Sequence, residues 1–350
     1  MLAYIGSRTT RERNACGDGI SICRVNSATG QIELIKIIKD LINPSYLTIS
    51  NSKKYLYAVH GDMSYVSAFE IQPDGDLIFI DRLECGGKNP VHLAIDRYDR
   101  YLVISNHITG NVVSIELMED GKFSRIQSNT YLQGKVGPHR VEQPFSKPHY
   151  NAFDISQRFV LIPDKGLDRI FCFNYVNGNL IPSQYPFVNS REGAGPRHYV
   201  QHPNQKYIYV VNELDSTVVT YEFRQIDGKL TPIQNISTLS TDYVGNSRAA
   251  AIVIDKNGKF LYASNRGEDT IAIFKIDSLS GKLTLVENTD VKGKTPRFIK
   301  ISPDNKFLYS LNEESHHISI FSINTENGTL RFMNNENYLG SPVCLEFLEN

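Results

Sequence analysis

The chain predicts an all-β fold, a propeller of seven four-stranded antiparallel blades, and three internal regularities predict it. An apolar segment led by an aromatic residue recurs as KYLYAVH (54–60), RYLVISN (100–106), RFVLIPD (158–164), KYIYVVN (206–212), KFLYASN (259–265) and KFLYSLN (306–312). Eleven residues before each aromatic stand Pro44, Pro90, Pro148, Pro196 and Pro296, with Ala249 in the one unit that lacks the proline. A strand followed by a turn glycine repeats at Gly30, Gly75, Gly121, Gly178, Gly228, Gly281 and Gly328. Self-similarity at a period of roughly 50 residues marks a repeat architecture.

Each unit supplies four strands in turn. The first follows the proline, the second is the aromatic segment, and the third and fourth flank the turn glycine. The aromatic segments run apolar or alternate for about six residues, which is the pattern of a buried strand and too short for a helix of three turns. The termini are complementary: Leu2-Ala3-Tyr4-Ile5-Gly6-Ser7 is an aromatic-type strand with no proline segment before it, while Pro342 opens a segment whose aromatic strand never arrives. Residues 1–43 and 342–350 together therefore form the closing blade of one domain spanning 1–350, with N- and C-terminal strands paired in the same sheet. Closure of this kind protects strand edges, and a pair of β-sandwich domains would not leave half a unit at each end. The Gly-His and Trp-Asp marks of WD40 repeats are absent. Nineteen Tyr, 17 Phe, 24 Gly and 15 Pro agree with strands and tight turns.

Lys plus Arg at 37 against Asp plus Glu at 38 leaves a net charge of −1. That balance offers no general grip on nucleic acid or an anionic membrane, so a charged ligand has to be recognised locally. No apolar run reaches the length of a membrane span, and MLAYIGSRTTRER lacks the pattern of a secretory signal, so a cytoplasmic location is expected. Five scattered cysteines without a Cys-x-x-Cys pair argue for reduced thiols, most of them at buried strand positions, rather than disulfides or zinc. His316-His317 would face opposite sides of a strand, and the glycines at 17, 19, 86 and 87 are accompanied by no Gly-Lys-Ser/Thr or following helix, so neither metal nor cofactor is expected.

Candidates for function stand where the repeats stop agreeing. The residues closing the aromatic strands are Ser7, His60, Asn106, Asp164, Asn212, Asn265 and Asn312, and the asparagines there suit a turn. One residue further on are Arg8, Gly61, His107, Lys165, Glu213, Arg266 and Glu313. After the prolines come Ser45, Val91, His149, Arg197, Arg297 and Val343, with Arg248 adjacent to the equivalent place. If both sets face one mouth of the central channel, His149, Arg197, Arg248, Arg266 and Arg297 gather around Glu213. Several planar guanidinium forks around one carboxylate match a small anionic substrate. The alternative is that these charges pair with one another and join neighbouring blades. The longest spacing, 57 residues from Gly121 to Gly178, contains extra polar sequence at about 120–147. A lid whose Gly137-Pro138-His139-Arg140 contacts substrate stands beside a merely solvated insertion.

At these residues the sequence resembles the lactonase family of seven-bladed propellers, the group that contains cycloisomerase-type 6-phosphogluconolactonase and fungal carboxymuconate cyclase. The likeness spans nearly the whole chain and rests on KPHYNAFDISQRFVLIPDKGLDRI (147–170), EGAGPRHYVQHPNQKYIYVVNELDSTV (192–218), SRAAAIVIDKNGKFLYASNRGEDTIAIF (247–274) and TPRFIKISPDNKFLYSLNEESHHISIF (295–321). It implies an active site of His149, Arg197, Glu213 and Arg266. Arg248, Arg297, His198, Asn212 and Asn265 are the substrate-binding candidates beside them. It departs from the family at Glu142-Gln143, commonly Arg-Gln, and at His60, where Asn is more usual.

The expected activity is metal-free hydrolysis of a sugar lactone, 6-phospho-D-glucono-1,5-lactone of the pentose phosphate pathway. Glu213 or His149 would serve as base, and Arg197 with Arg266 would hold the oxyanion and the anionic group. No Gly-x-Ser-x-Gly elbow supplies a serine nucleophile. Two other readings are a carboxymuconate-type lactonizing cycloisomerase and a non-catalytic propeller that docks proteins.

Overall fold

The structure, a computed structural model, describes residues 1–333 and 337–349. Its strands form seven separate antiparallel sheets arranged as blades. In the closing blade the order from the channel outward is Pro342–Leu348, Leu2–Ser7, Ile20–Val25 and Ile32–Ile38. Leu2 pairs with Leu348 and Gly6 with Cys344, so the two ends of the chain share one ladder, as the complementary half-units require. Asn350 lies outside the described residues. In the last blade the outermost strand comes in two pieces, Leu330–Phe332 and Asn337–Tyr338, both paired with His317–Ile323. A single 3₁₀ turn at Arg11–Arg13 is the one helical element among the described residues. None of their helices is long and apolar enough to cross a membrane.

The aromatic repeat and the glycine repeat are two halves of one joint. The Tyr57 hydroxyl donates to the Gly121 carbonyl of the next blade at 3.0 Å, and Tyr209 does the same to Gly281 at 3.0 Å and Tyr262 to Gly328 at 3.0 Å. Tyr309 closes the ring with a 2.9 Å bond to Gly30. A buried phenol keeps its apolar body in the core and satisfies its polar end. Gly121 has φ of 79°, and a Cβ there would land on the ring of Tyr55, so glycine serves both the turn and the close approach. Apolar residues fill the space between adjacent blades: Tyr4, Ile5, Leu47, Leu56, Phe307 and Tyr309 belong to one cluster spanning the closing blade and both its neighbours. Cys23, Cys172 and Cys344 are buried on strands and Cys85 is buried in a loop, while Cys16 is exposed; all five are free thiols.

Candidate active site

The residue after each blade-opening proline is squeezed out of the ladder. Pro196 pairs with Asn212 and His198 with Val211, leaving Arg197 unpaired between them. The same irregularity isolates Ser45, Val91 and Arg297, and in the closing blade Val343. A β-bulge re-aims its extra side chain, and here the innermost strands of six blades present bulges to one mouth of the channel. The six residues aligned by the prolines, Ser45, Val91, His149, Arg197, Arg297 and Val343, all line one pit, together with Arg8, Tyr46, His198 and Phe298. The space is about 310 Å³, part of it open to solvent. In the blade without the proline, pairing skips from Ala249 to Ile252. Its bulge residue is Ala250, whose carbonyl accepts a hydrogen bond from Arg197 Nη1, and Arg248 stands at the rim instead.

Glu213 follows the second strand of its blade and is 3% exposed. Four cations surround its carboxylate: Arg197 Nε at 3.0 Å, Lys165 Nζ at 3.2 Å, Arg266 Nη2 at 3.3 Å and Arg248 Nη1 at 3.8 Å. Burial by itself pushes the carboxyl up, but Lys165, Arg266, Arg197 and Arg297 together hold it well below the usual carboxylate range. Glu142 reaches in from the insertion, 3.0 Å from Lys165 and 2.7 Å from Arg248, and its carboxyl is held at about 2 against the upward push of burial. His139 and Arg140 of that insertion are exposed. The loop is instead pinned by Asp164, which accepts from the backbone N–H of Lys147 at 2.8 Å and of Gly166 at 2.9 Å.

Imidazoles form the adjoining wall. His149 lies between His107 and His198, with ring centroids 5.1 and 5.3 Å away. Burial first, then Arg197, His107, His198 and Lys165, drives its pKa well below the ordinary histidine value, so the ring is neutral at pH 7. Its Nδ1 is buried without a partner. His198 Nε2 lies 3.2 Å from Arg197 Nη1.

Of the nine candidate residues, Glu213, Arg197, Arg266 and Arg248 come together in the charge cluster, and His149, His198, Arg197 and Arg297 line the pit. Asn212 and Asn265 do not line it. Asn265 is fully buried, donating to the Thr238 carbonyl at 2.7 Å and accepting from the Thr238 hydroxyl at 2.6 Å, which ties its blade to the preceding loop. Asn212 donates to Thr217 at 2.9 Å. Both serve the strand-end turn that asparagine at this place already suggested. Sequence reasoning left Arg8, Ser45, His107 and Lys165 without roles although they occupy the same registers as the chosen residues. Glu142 belongs to no register; its one mark in the sequence was the departure from the family's Arg-Gln at Glu142-Gln143.

A family model described as "Lactonase, 7-bladed beta-propeller" matches residues 2–347. A protein of Bacillus subtilis named 6-phosphogluconolactonase is 31% identical over 308 residues, covering 87% of this chain and 86% of its own. One of the same name from Formosa agariphila is 33% identical over 313 residues, with 86% of each chain covered. The solved structure of Pseudomonas aeruginosa periplasmic gluconolactonase superposes with a TM-score of 0.91 at 24% identity over 100% of this chain and 99% of that one, a likeness of fold.

Proposed function

The chain belongs to the lactonase family of seven-bladed β-propellers, and from that premise we propose that it hydrolyses 6-phospho-D-glucono-1,5-lactone to 6-phosphogluconate, a step of the pentose phosphate pathway. The observation that carries the reading is a neutral His149, its buried Nδ1 without a partner, beside guanidinium groups that one buried carboxylate holds in place. His149 takes a proton from water as the oxygen attacks the lactone carbonyl. Arg197 and Arg266 receive the oxyanion, and Glu213 aims them. The tetrahedral intermediate then collapses, the ring C–O bond breaks, and the ring oxygen takes the proton back from His149. As negative charge develops beside the imidazole, the imidazolium that isolated burial disfavours gains a partner, which is stabilisation specific to the transition state. Arg248 and Arg297 contribute to holding the substrate's anionic groups, with His198 supporting Arg197.

A positioned base is worth about 10²–10⁴ in rate and an oxyanion donor about 10²–10³, enough for a lactone that already opens in water. We place the reaction in the cytoplasm, which suits five free cysteines. The test is acid release from freshly prepared 6-phosphogluconolactone, measured above the spontaneous rate. Arg197→Lys keeps a charge but loses the fork and strands the Ala250 carbonyl, so it should lose about 10²-fold in kcat/KM. A purified protein with no excess over the spontaneous rate, or an R197K variant as fast as wild type, sinks the reading.

A further inference from the structure

We propose that the side of the pit formed by Arg8, Arg297 and Ser45 is a phosphate subsite, and that Arg8 is what makes the enzyme prefer a phosphorylated lactone over the plain sugar lactone. This rests on the lactonase reading above and names the residues that would set its substrate class. Arg8 directly follows the N-terminal strand of the closing blade, its backbone fixed by bonds from its own N–H to Ser341 O at 3.0 Å and from Gly17 N–H to its carbonyl at 3.1 Å. The neighbouring blade has Gly61 at the matching register, and a Cβ there would land on the Arg8 guanidinium. The side chain is thus inserted into a place the fold keeps clear for it.

What distinguishes Arg8 from the cations around Glu213 is that its ion pairs are long and two of its guanidinium nitrogens donate to nothing. It is 3% exposed, yet Nε and Nη1 have no hydrogen-bond partner. The nearest carboxylates are Asp62 at 3.6 Å and Glu313 at 4.0 Å, both beyond hydrogen-bond reach. Asp62 is already engaged by Arg13, through Nε at 2.8 Å and a second bond from Nη2. Glu313 is shared with Arg297, 3.6 Å away. Two guanidinium groups therefore face the pit over one carboxylate that bonds to neither, and the Ser45 hydroxyl beside them is also buried and unpaired.

Buried donors without partners are costly, and a buried charge more so. A ligand that supplies acceptors recovers that cost. A phosphate monoester brings nearly two negative charges and three terminal oxygens, which two forks and a hydroxyl can divide between them. A neutral sugar hydroxyl offers neither the charge nor enough acceptors. Arg197 lines the same pit, so a substrate with its carbonyl at Arg197 and His149 can extend its phosphate toward Arg8.

The experiment compares wild type, Arg8→Gln, Arg8→Lys and Ser45→Ala in two readouts. Calorimetric binding of 6-phosphogluconate and of gluconate gives a preference ratio without any turnover. Hydrolysis of 6-phosphogluconolactone and glucono-1,5-lactone gives a kcat/KM ratio. Loss of a charge-assisted hydrogen bond in R8Q should shrink both ratios roughly 10- to 100-fold. R8K should fall between, and S45A should lose about fivefold, one neutral bond. Ratios that do not move in R8Q, or equal losses on phosphorylated and plain ligands, overturn the subsite. If R8Q does not fold, S45A decides by the same criterion. Should wild type open neither lactone, the hydrolase reading falls, and the binding ratio still settles whether Arg8 holds phosphate.

Discussion

Replacing Glu213 by Gln removes one negative charge from the centre of a cluster and changes little in shape. Arg197 at 3.0 Å, Lys165 at 3.2 Å and Arg266 at 3.3 Å then lose their common counter-ion while remaining buried or nearly so. Glu142 cannot take over, because it already serves Lys165 and Arg248. Breaking a buried ion pair from one side costs about 3–5 kcal/mol, because the remaining charge is stranded. At about 2.1 cal/mol/K per residue, unfolding a chain of 350 residues carries an entropy near 0.7 kcal/mol/K, so E213Q should melt roughly 4–7 °C below wild type at pH 7.

The pH dependence supplies a second check. The folded-state pKa of Glu213 is depressed, so its ionisation contributes fully above the unfolded glutamate value of about 4.3 and is lost as pH falls through the folded value. The melting gap should stay constant from pH 8 to about pH 5 and narrow only below about 4.3. Scanning calorimetry across that range measures it. A gap under about 2 °C at pH 7, or one that widens on acidification, would refute the account of Glu213 as the ion that holds these cations.

Two further outcomes follow from other parts of the molecule. Because the His149 pKa is driven well below the ordinary imidazole value, its basic form persists on mild acidification: kcat/KM should stay flat as pH is lowered from 8 through 6.5, and His149→Asn should lose about 10²–10⁴-fold. An acid limb centred near pH 6.5, or an H149N variant with wild-type rate, contradicts the assignment of the base. Tyr309→Phe removes the 2.9 Å bond that seals the last blade to Gly30 and should cost about 1 kcal/mol, a drop of roughly 1–2 °C, matched by Tyr209→Phe at an interior joint. A silent Y309F would mean that the phenols do not share the work of closing the ring.

The residues that became the site were legible as registers before they were legible as a place. Arg197 and Glu213 were found because proline and asparagine mark equivalent positions in most blades, and equivalent positions land at the same mouth. Asn265 shows the limit of that logic: it sits in the right register, but its amide is taken up by Thr238. Lys165 and Arg8 were in the right registers too. Nothing in a row of aligned residues says which cation will bond a carboxylate and which will line the pit with its nitrogens unpaired.

The blade count, the strand order and the splice of the two termini are local properties repeated along the chain, and periodicity alone determined them. A strand's alternation, a turn's need for glycine and a proline at a strand's start are decided within a few residues. The bulges that turn Ser45, Val91, Arg197, Arg297 and Val343 inward, the insertion that delivers Glu142 to Lys165 and Arg248, and the unequal sharing of Glu313 between Arg8 and Arg297 were decided only by tertiary structure. Charge compensation depends on distances of 3 to 4 Å between residues far apart in the chain, and those distances do not exist until the ring has closed.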